Sequence, residues 1–271
     1  MGGVRALNLL TLLLTLPSLT PPILKPFFPR GPCRGFFISR KMDNIKGFLE
    51  TSFIDWPGRS CAVLFLGGCN FRCPFCHNHP LVLGPEELIS LDLEEILVRL
   101  RPLRSWLGGV CISGGEPTLS AELPEMLRSL KEEGFHVKLD TNGSRPAVLA
   151  ELLAAGLVDM VAMDVKAPLE QALYDKCCGV KADLGRIGES IELIKGCGLP
   201  HQFRMTVVPG FHDRATIHRW RLMLGDSGNL KLQNYSPLSV LAPAHAGERR
   251  FSEEEFADLL LALNESPDTD L

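Results

Sequence analysis

Three cysteines fall within eight residues in the stretch CNFRCPFCHN: Cys69, Cys73 and Cys76, with His77 and Asn78 directly behind them. Three chemistries use such a group. A structural zinc site closes with four ligands, most often two separated C-x-x-C halves, and here the fourth would be His77, doubling back beside Cys76. A dithiol redox pair needs only Cys73 and Cys76 and leaves Cys69 idle. An iron–sulfur cluster takes thiolates, and three of them leave one iron of a cubane open. An open iron can chelate a small molecule that carries an amine and a carboxylate.

A second stretch, SGGEP, runs from Ser113 to Pro117. Gly114 and Gly115 lack a Cβ, so a ligand can approach the backbone there. The Gly-Gly-Glu segment, ending at Glu116, supplies carbonyls and a carboxylate for an ammonium group. Alone it reads equally as a turn; one strand after C-x3-C-x2-C it is a specific pairing.

The elements that must hold these residues alternate strand and helix. CAVLFLGG (61–68), GVCISGGE (109–116), HVKLDTNG (136–143), VDMVAMDVKAP (158–168), QFRMTVVPG (202–210) and LKLQNYSP (230–237) read as strands. SLDLEEILVRLRPL, LPEMLRSLKEEG, RPAVLAELLAAG, LGRIGESIELIKGCG, TIHRWRLMLG and SEEEFADLLLALNE read as the helices between and after them. Six such rounds imply parallel strands covered by helices, and the near-continuous apolar strands suit burial on both faces. A doubly wound sheet and a partial (β/α)6 barrel both satisfy the pattern. In either, the strands' C-terminal ends share one rim where ligands bind. Glu116, Asp140, Asp164 and Lys166 sit at such ends.

The chain of 271 residues, 45% hydrophobic and 22% charged, is long enough for one large α/β domain without staples. Its net charge of −4 gives no bulk reason to bind nucleic acid or anionic membrane. Nine cysteines are too few and too uneven for a disulfide framework, so a reducing, cytoplasmic setting is expected. Cys177 and Cys178 are adjacent, a poor geometry for joint chelation, and read as buried hydrophobes. His201, His212, His218 and His245 show no ligand spacing, and His212 reads as a solvated loop histidine.

Residues 1–41 contain no Asp or Glu and include the apolar run Ala6–Leu16, too short to span a bilayer. They are expected to be a disordered extension: a targeting segment, or residues upstream of a natural start at Met42. The fold is expected over 42–265, with a flexible tail at 266–271.

CNFRCPFCHN followed by SGGEPT resembles the radical SAM superfamily, in which a 4Fe–4S cluster binds S-adenosylmethionine through its unique iron and cleaves it reductively. DTNG (140–143), MDVK (163–166) and RMTVVPG (204–210) resemble glycyl-radical-enzyme activases. GFLETSFIDWPG (47–58) resembles the activating proteins of anaerobic ribonucleoside-triphosphate reductase. The likeness runs from about residue 43 to 265 and lacks the inserted eight-cysteine region of the larger activases. It implies the radical SAM form of the partial (β/α)6 barrel and one 4Fe–4S cluster on Cys69, Cys73 and Cys76. It implies S-adenosylmethionine contacts from Phe75, His77, Asn78, Gly114, Gly115, Glu116, Asp140, Asp164, Lys166 and Arg204. A monovalent cation at Asp140, Thr141, the Ala162 carbonyl and Asp164 is a further implication. So are a glycyl-radical-enzyme partner and a flavodoxin or ferredoxin electron donor. The alternatives are a small-molecule radical SAM enzyme of the 7-carboxy-7-deazaguanine synthase type, which the DTNG, DVK and VVPG series opposes, and a non-catalytic metal-bearing interaction protein, which the intact Gly-Gly-Glu opposes.

Overall fold

In the computed structural model, seven strands pair in chain order to make one sheet. The residues described are 44–225, 229–243 and 249–265; the expectations for residues 1–41 and 266–271 lie outside them. β1 (Ile45–Ser52) runs antiparallel to β2 (Cys61–Leu66). From β2 onward every pair is parallel, through β3 (Gly109–Gly114), β4 (Val137–Thr141), β5 (Met160–Asp164), β6 (His201–Val207) and β7 (Leu230–Asn234). A doubly wound sheet reverses its strand order at a switch point. Here the order is monotonic, as in a barrel, so the six parallel strands form the partial (β/α)6 barrel and β1 extends its edge.

The helices are α1 (His79–Leu83), α2 (Leu93–Leu100), α3 (Leu123–Glu132), α4 (Pro146–Ala154), α5 (Gln171–Cys178), α6 (Leu184–Gly196), α7 (Arg214–Leu224) and α8 (Glu253–Asn264). Their starts follow local chemistry. Asp92, Asp183, Asp213 and Ser252 each accept a backbone N–H of the first turn, and Ser252 forms a capping box with Glu255. α3 and α4 carry Pro in the first turn, where no N–H is missed. β1, α1 and α5 were not expected from the sequence: β1 is mostly half-buried, α1 has five residues, and α5 buries only Tyr174, Cys177 and Cys178.

Alternation along the strands gives the sheet two faces. Leu64, Ile112, Leu139, Val161 and Met205 are buried in the main core with the helices. Cys61, Val63, Cys111 and Met160 form a small second cluster with Trp56. Lys138 belongs to this second face, its Nζ lying 3.6 Å from the Cys111 Sγ. Apolar packing thus fills this face toward the strand starts. Polar and charged residues take over toward the C-terminal rim. No helix of the described residues is long and apolar enough to cross a membrane.

Candidate active site

The cysteine loop leaves β2 at Leu66 and is pinned on three sides. Against β3, Glu116 N–H donates to the Gly68 carbonyl (2.8 Å), Gly115 N–H to Leu66 (2.9 Å), and the Asn78 amide to Gly114 (2.9 Å). Against α5, Arg72 N–H donates to the Cys178 carbonyl (2.8 Å). A Cβ on Gly179, the left-handed residue that ends α5, would lie 2.1 Å from the Arg72 oxygen, so only glycine allows this seat. On the third side the segment after β7 crosses the loop. Leu241 N–H donates to the Cys76 carbonyl (3.1 Å) and Ala242 N–H to Pro74 (2.9 Å). The Arg72 guanidinium also binds the loop's own Cys69 and Phe71 carbonyls.

One cavity of about 200 Å³ opens at the strand C-terminal ends, and most of the expected residues line it. They are Cys69, Cys73, Cys76, Phe75, His77, Asn78, Gly114, Gly115, Asp140, Thr141, Asp164, Lys166 and Arg204, with Phe71, Val82, Ser113, Asn142 and Thr206 completing the wall. The three cysteines are free thiols. Burial pushes all three above their ordinary pKa, and the Lys166 ammonium pulls them down. Cys69 Sγ faces two donors, the Phe71 N–H at 3.4 Å and the Asn142 amide at 3.9 Å. Among the described residues, no three His, Cys, Asp or Glu side chains converge closely enough for a single metal ion. Three free thiols lining one cavity, with donors and a cation nearby, match the thiolate ligand type of an iron–sulfur cluster.

Glu116 and Ala162 do not line the cavity. The Glu116 carboxylate is buried and turned to Thr118, Thr141 and Asn142: it accepts from both Thr118 N–H and Oγ1, from Thr141 Oγ1 (2.8 Å) and from Asn142 N–H (2.6 Å). Burial raises its pKa while these bonds lower it. The carboxylate therefore ties the end of β3 to the turn after β4. Ala162 sits within β5, opposite Asp140 and Gln202.

The acidic residues named for a monovalent cation are bridged by a side chain. Arg204 donates through Nε to Asp164 (2.8 Å) and through Nη1 to Asp140 (3.1 Å). Lys166 pairs with Asp164 at 3.2 Å, and Lys138, fully buried, pairs with Asp140. Thr141 Oγ1 is committed to Glu116 and to the Gly143 N–H. Burial alone would raise the Asp164 pKa, but Arg204 and Lys166 outweigh it and hold the carboxyl well below the usual range. Burial likewise works against charge on Lys166 and Arg204, and the carboxylates reverse it, so both stay cationic.

His212 corrects the sequence reading. It is buried in the turn after β6 rather than solvated, and burial lowers its pKa to about 4. The roles of Lys138, Tyr174 and the strap at Leu241 and Ala242 were also missed, and the last strand, read to 237, ends at Asn234. A lysine inside a strand, a tyrosine on a short helix and a strap held by backbone bonds carry no spacing signature.

The family model of the radical SAM superfamily matches residues 63–219. The chain is 35% identical over 196 residues to a Methanocaldococcus jannaschii protein assigned as a glycyl-radical enzyme activating enzyme, covering 71% of this chain and 80% of that one. It is 32% identical over 195 residues to the pyruvate formate-lyase 1-activating enzyme of Escherichia coli, covering 69% and 77%. Among solved structures, Streptococcus suis SuiB bound to S-adenosylmethionine superposes with a TM-score of 0.56 at 16% identity, over 73% of this chain and 44% of that one. That likeness speaks for the fold alone.

Proposed function

The chain belongs to the radical SAM superfamily, and on that premise we propose that it activates a glycyl-radical enzyme, with an anaerobic ribonucleotide reductase as its partner. One observation carries the reading: three free thiols and the cations of Lys166 and Arg204 line a single cavity at the barrel rim. Cys69, Cys73 and Cys76 would hold the 4Fe–4S cluster, and S-adenosylmethionine would share the cavity. When bound, the cluster supplies the single electron that splits the sulfonium and so starts hydrogen-atom removal from a partner glycine.

The chain's own residues bind, orient and shield. Gly114 and Gly115 keep their stretch of wall free of side chains. Lys166 and Arg204 offer positive charge to the methionine carboxylate. Arg204 uses Nε and Nη1 on Asp164 and Asp140, which fixes its plane and leaves Nη2 for a ligand. The Gly114 and Gly115 backbone is the proposed seat of the amino group, with Glu116 acting behind it as an anchor. Phe75, His77 and Asn78 are the proposed adenosine side. Phe71, Phe75 and Val82 give the cavity an apolar flank that excludes water.

Activation of a glycyl-radical enzyme is supported by the relative that bears that name and by the relative named as the pyruvate formate-lyase 1-activating enzyme. The reductase is supported by the resemblance of the Gly47–Gly58 segment to its activating proteins. A flavodoxin or ferredoxin is the proposed electron donor. The test mixes anaerobically reconstituted protein, S-adenosylmethionine and a reductant with the reductase of the same organism. A glycyl radical signal should appear on the reductase with 5′-deoxyadenosine, and vanish when the reductase's C-terminal radical glycine is changed to alanine. Coupled turnover of a small molecule, with no glycyl enzyme activated, would overturn the reading.

A further inference from the structure

Lys166 lies beyond the end of β5, where the sheet no longer satisfies its backbone. Two buried side chains from separate elements take over. Its N–H donates to the Tyr174 hydroxyl of α5 at 3.4 Å, and its carbonyl meets His212 Nε2 at 2.9 Å. Both partners are buried, Tyr174 fully and His212 to within 3%. Neither lines the cavity.

The hydrogen bonds of His212 fix its tautomer. The Val208 N–H donates to Nδ1 at 3.0 Å, so Nδ1 carries no proton. The proton therefore sits on Nε2, which donates to the Lys166 carbonyl. Cys177 Sγ stands 3.5 Å from the same nitrogen. The ring is neutral and uses one edge to hold its own turn and the other to hold Lys166. The same turn packs on the cysteine loop, where Phe211 meets Phe75 edge to face at 6.1 Å and Lys176 lies 4.4 Å over the Phe211 ring.

We propose that His212 is a positioning residue for Lys166: as the Nε2–H tautomer it clamps the backbone from which the Lys166 ammonium enters the cavity, and so sets how tightly the carboxylate of S-adenosylmethionine is held. The inference rests on the assignment of Lys166 to that carboxylate. Among the described residues the ammonium pairs with Asp164 at 3.2 Å, so its remaining hydrogens are aimed by the backbone and that pair. A buried histidine is suited to the task because it presents one acceptor and one donor on opposite edges of a rigid ring. Glutamine can reproduce the Nε2 donor, and phenylalanine only the shape.

The test measures S-adenosylmethionine and decarboxylated S-adenosylmethionine binding to the cluster-loaded protein under anaerobic conditions. His212→Phe should raise the dissociation constant for S-adenosylmethionine about ten-fold, the lower end of what a hydrogen bond to a charged group contributes. His212→Gln should recover most of it. Decarboxylated S-adenosylmethionine should be bound equally by wild type and His212→Phe. In a Lys166→Met background, His212→Phe should add less than about two-fold, because the two act as one unit. Equal weakening of both ligands, or full additivity with Lys166→Met, would overturn the proposal and leave His212 a packing residue. If Lys166→Met itself leaves binding unchanged, the assignment of Lys166 to the carboxylate fails first, and the proposal fails with it. Nitrogen-15 spectra of the wild-type imidazole give a check that needs no variant to fold: a proton on Nδ1 at neutral pH would contradict the clamp.

Discussion

Arg204 and Asp164 face each other across β6 and β5 in direct register, with Nε and Oδ1 2.8 Å apart. The pair is the middle of a row. Lys138 binds Asp140, Asp140 binds Arg204, Arg204 binds Asp164, and Asp164 binds Lys166. Three cations against two carboxylates leave one net positive charge, and the row's last member, Lys166, lines the cavity. A ligand carboxylate would complete the alternation.

Removing one partner from such a row strands the others. Asp164→Asn should cost about 3 kcal/mol in anaerobic urea unfolding, because Arg204 and Lys166 lose their shared partner. Asp164 is held below the usual carboxylate value. Its contribution is therefore complete above the unfolded value of about 3.9 and is lost as pH falls through the lower folded one. The difference between wild type and variant should stay flat from about pH 6 to 8. A slope in that window would show that another group titrates with folding.

The row also shows where sequence reading stops. The parallel strands were legible because runs such as CAVLFL are apolar on both faces. The rim carboxylates were legible because they stand at strand ends. Lys138 was not, since a charge inside a strand is stable there only through the whole row, and Arg204, which holds Asp140, comes from β6, 64 residues on. The destination of Glu116 was hidden for a related reason: two of its partners, Thr141 and Asn142, arrive from the end of β4 and the turn after it.

Gly115 is more constrained than an open approach path requires. A Cβ there would lie 1.9 Å from the Gly68 carbonyl oxygen and 3.3 Å from the Cys69 Cβ, so even alanine must push the cysteine loop away from β3. Gly115→Ala should therefore lower both S-adenosylmethionine binding and iron content after reconstitution. Retention of about four irons per chain with normal binding would show that the loop can shift without loss.

Glu116 accepts four hydrogen bonds while buried. Glutamine of the same shape places an NH2 group against donors. Glu116→Gln should destabilise the fold by about 2 kcal/mol, the cost of a buried clash of donors. If the amide instead lowered only ligand affinity, with the unfolding midpoint unchanged, the carboxylate would be reaching the cavity after all.

The cysteines should divide sharply. Cys73→Ala should yield colourless protein without bound sulfide. Cys177, buried with its pKa raised to about 12 by burial and by Cys178, should stay a protonated thiol and be dispensable to the cluster. Cys177→Ala should keep wild-type iron and sulfide. Equal loss in both variants would extend the ligand set beyond the loop.

The strap across the cysteine loop is held by main-chain bonds, so proline probes it without adding charge. Leu241→Pro deletes the N–H that meets the Cys76 carbonyl at 3.1 Å. The lost bond is worth about 1 kcal/mol, roughly a five-fold change in how often the loop opens. Exposure to air should therefore bleach the reconstituted cluster several-fold faster than in wild type. Leu238→Ala, three residues earlier and 63% exposed, should bleach at the wild-type rate. A matching rate in Leu241→Pro would mean that α5 and β3 alone hold the loop, through Arg72 and Gly68.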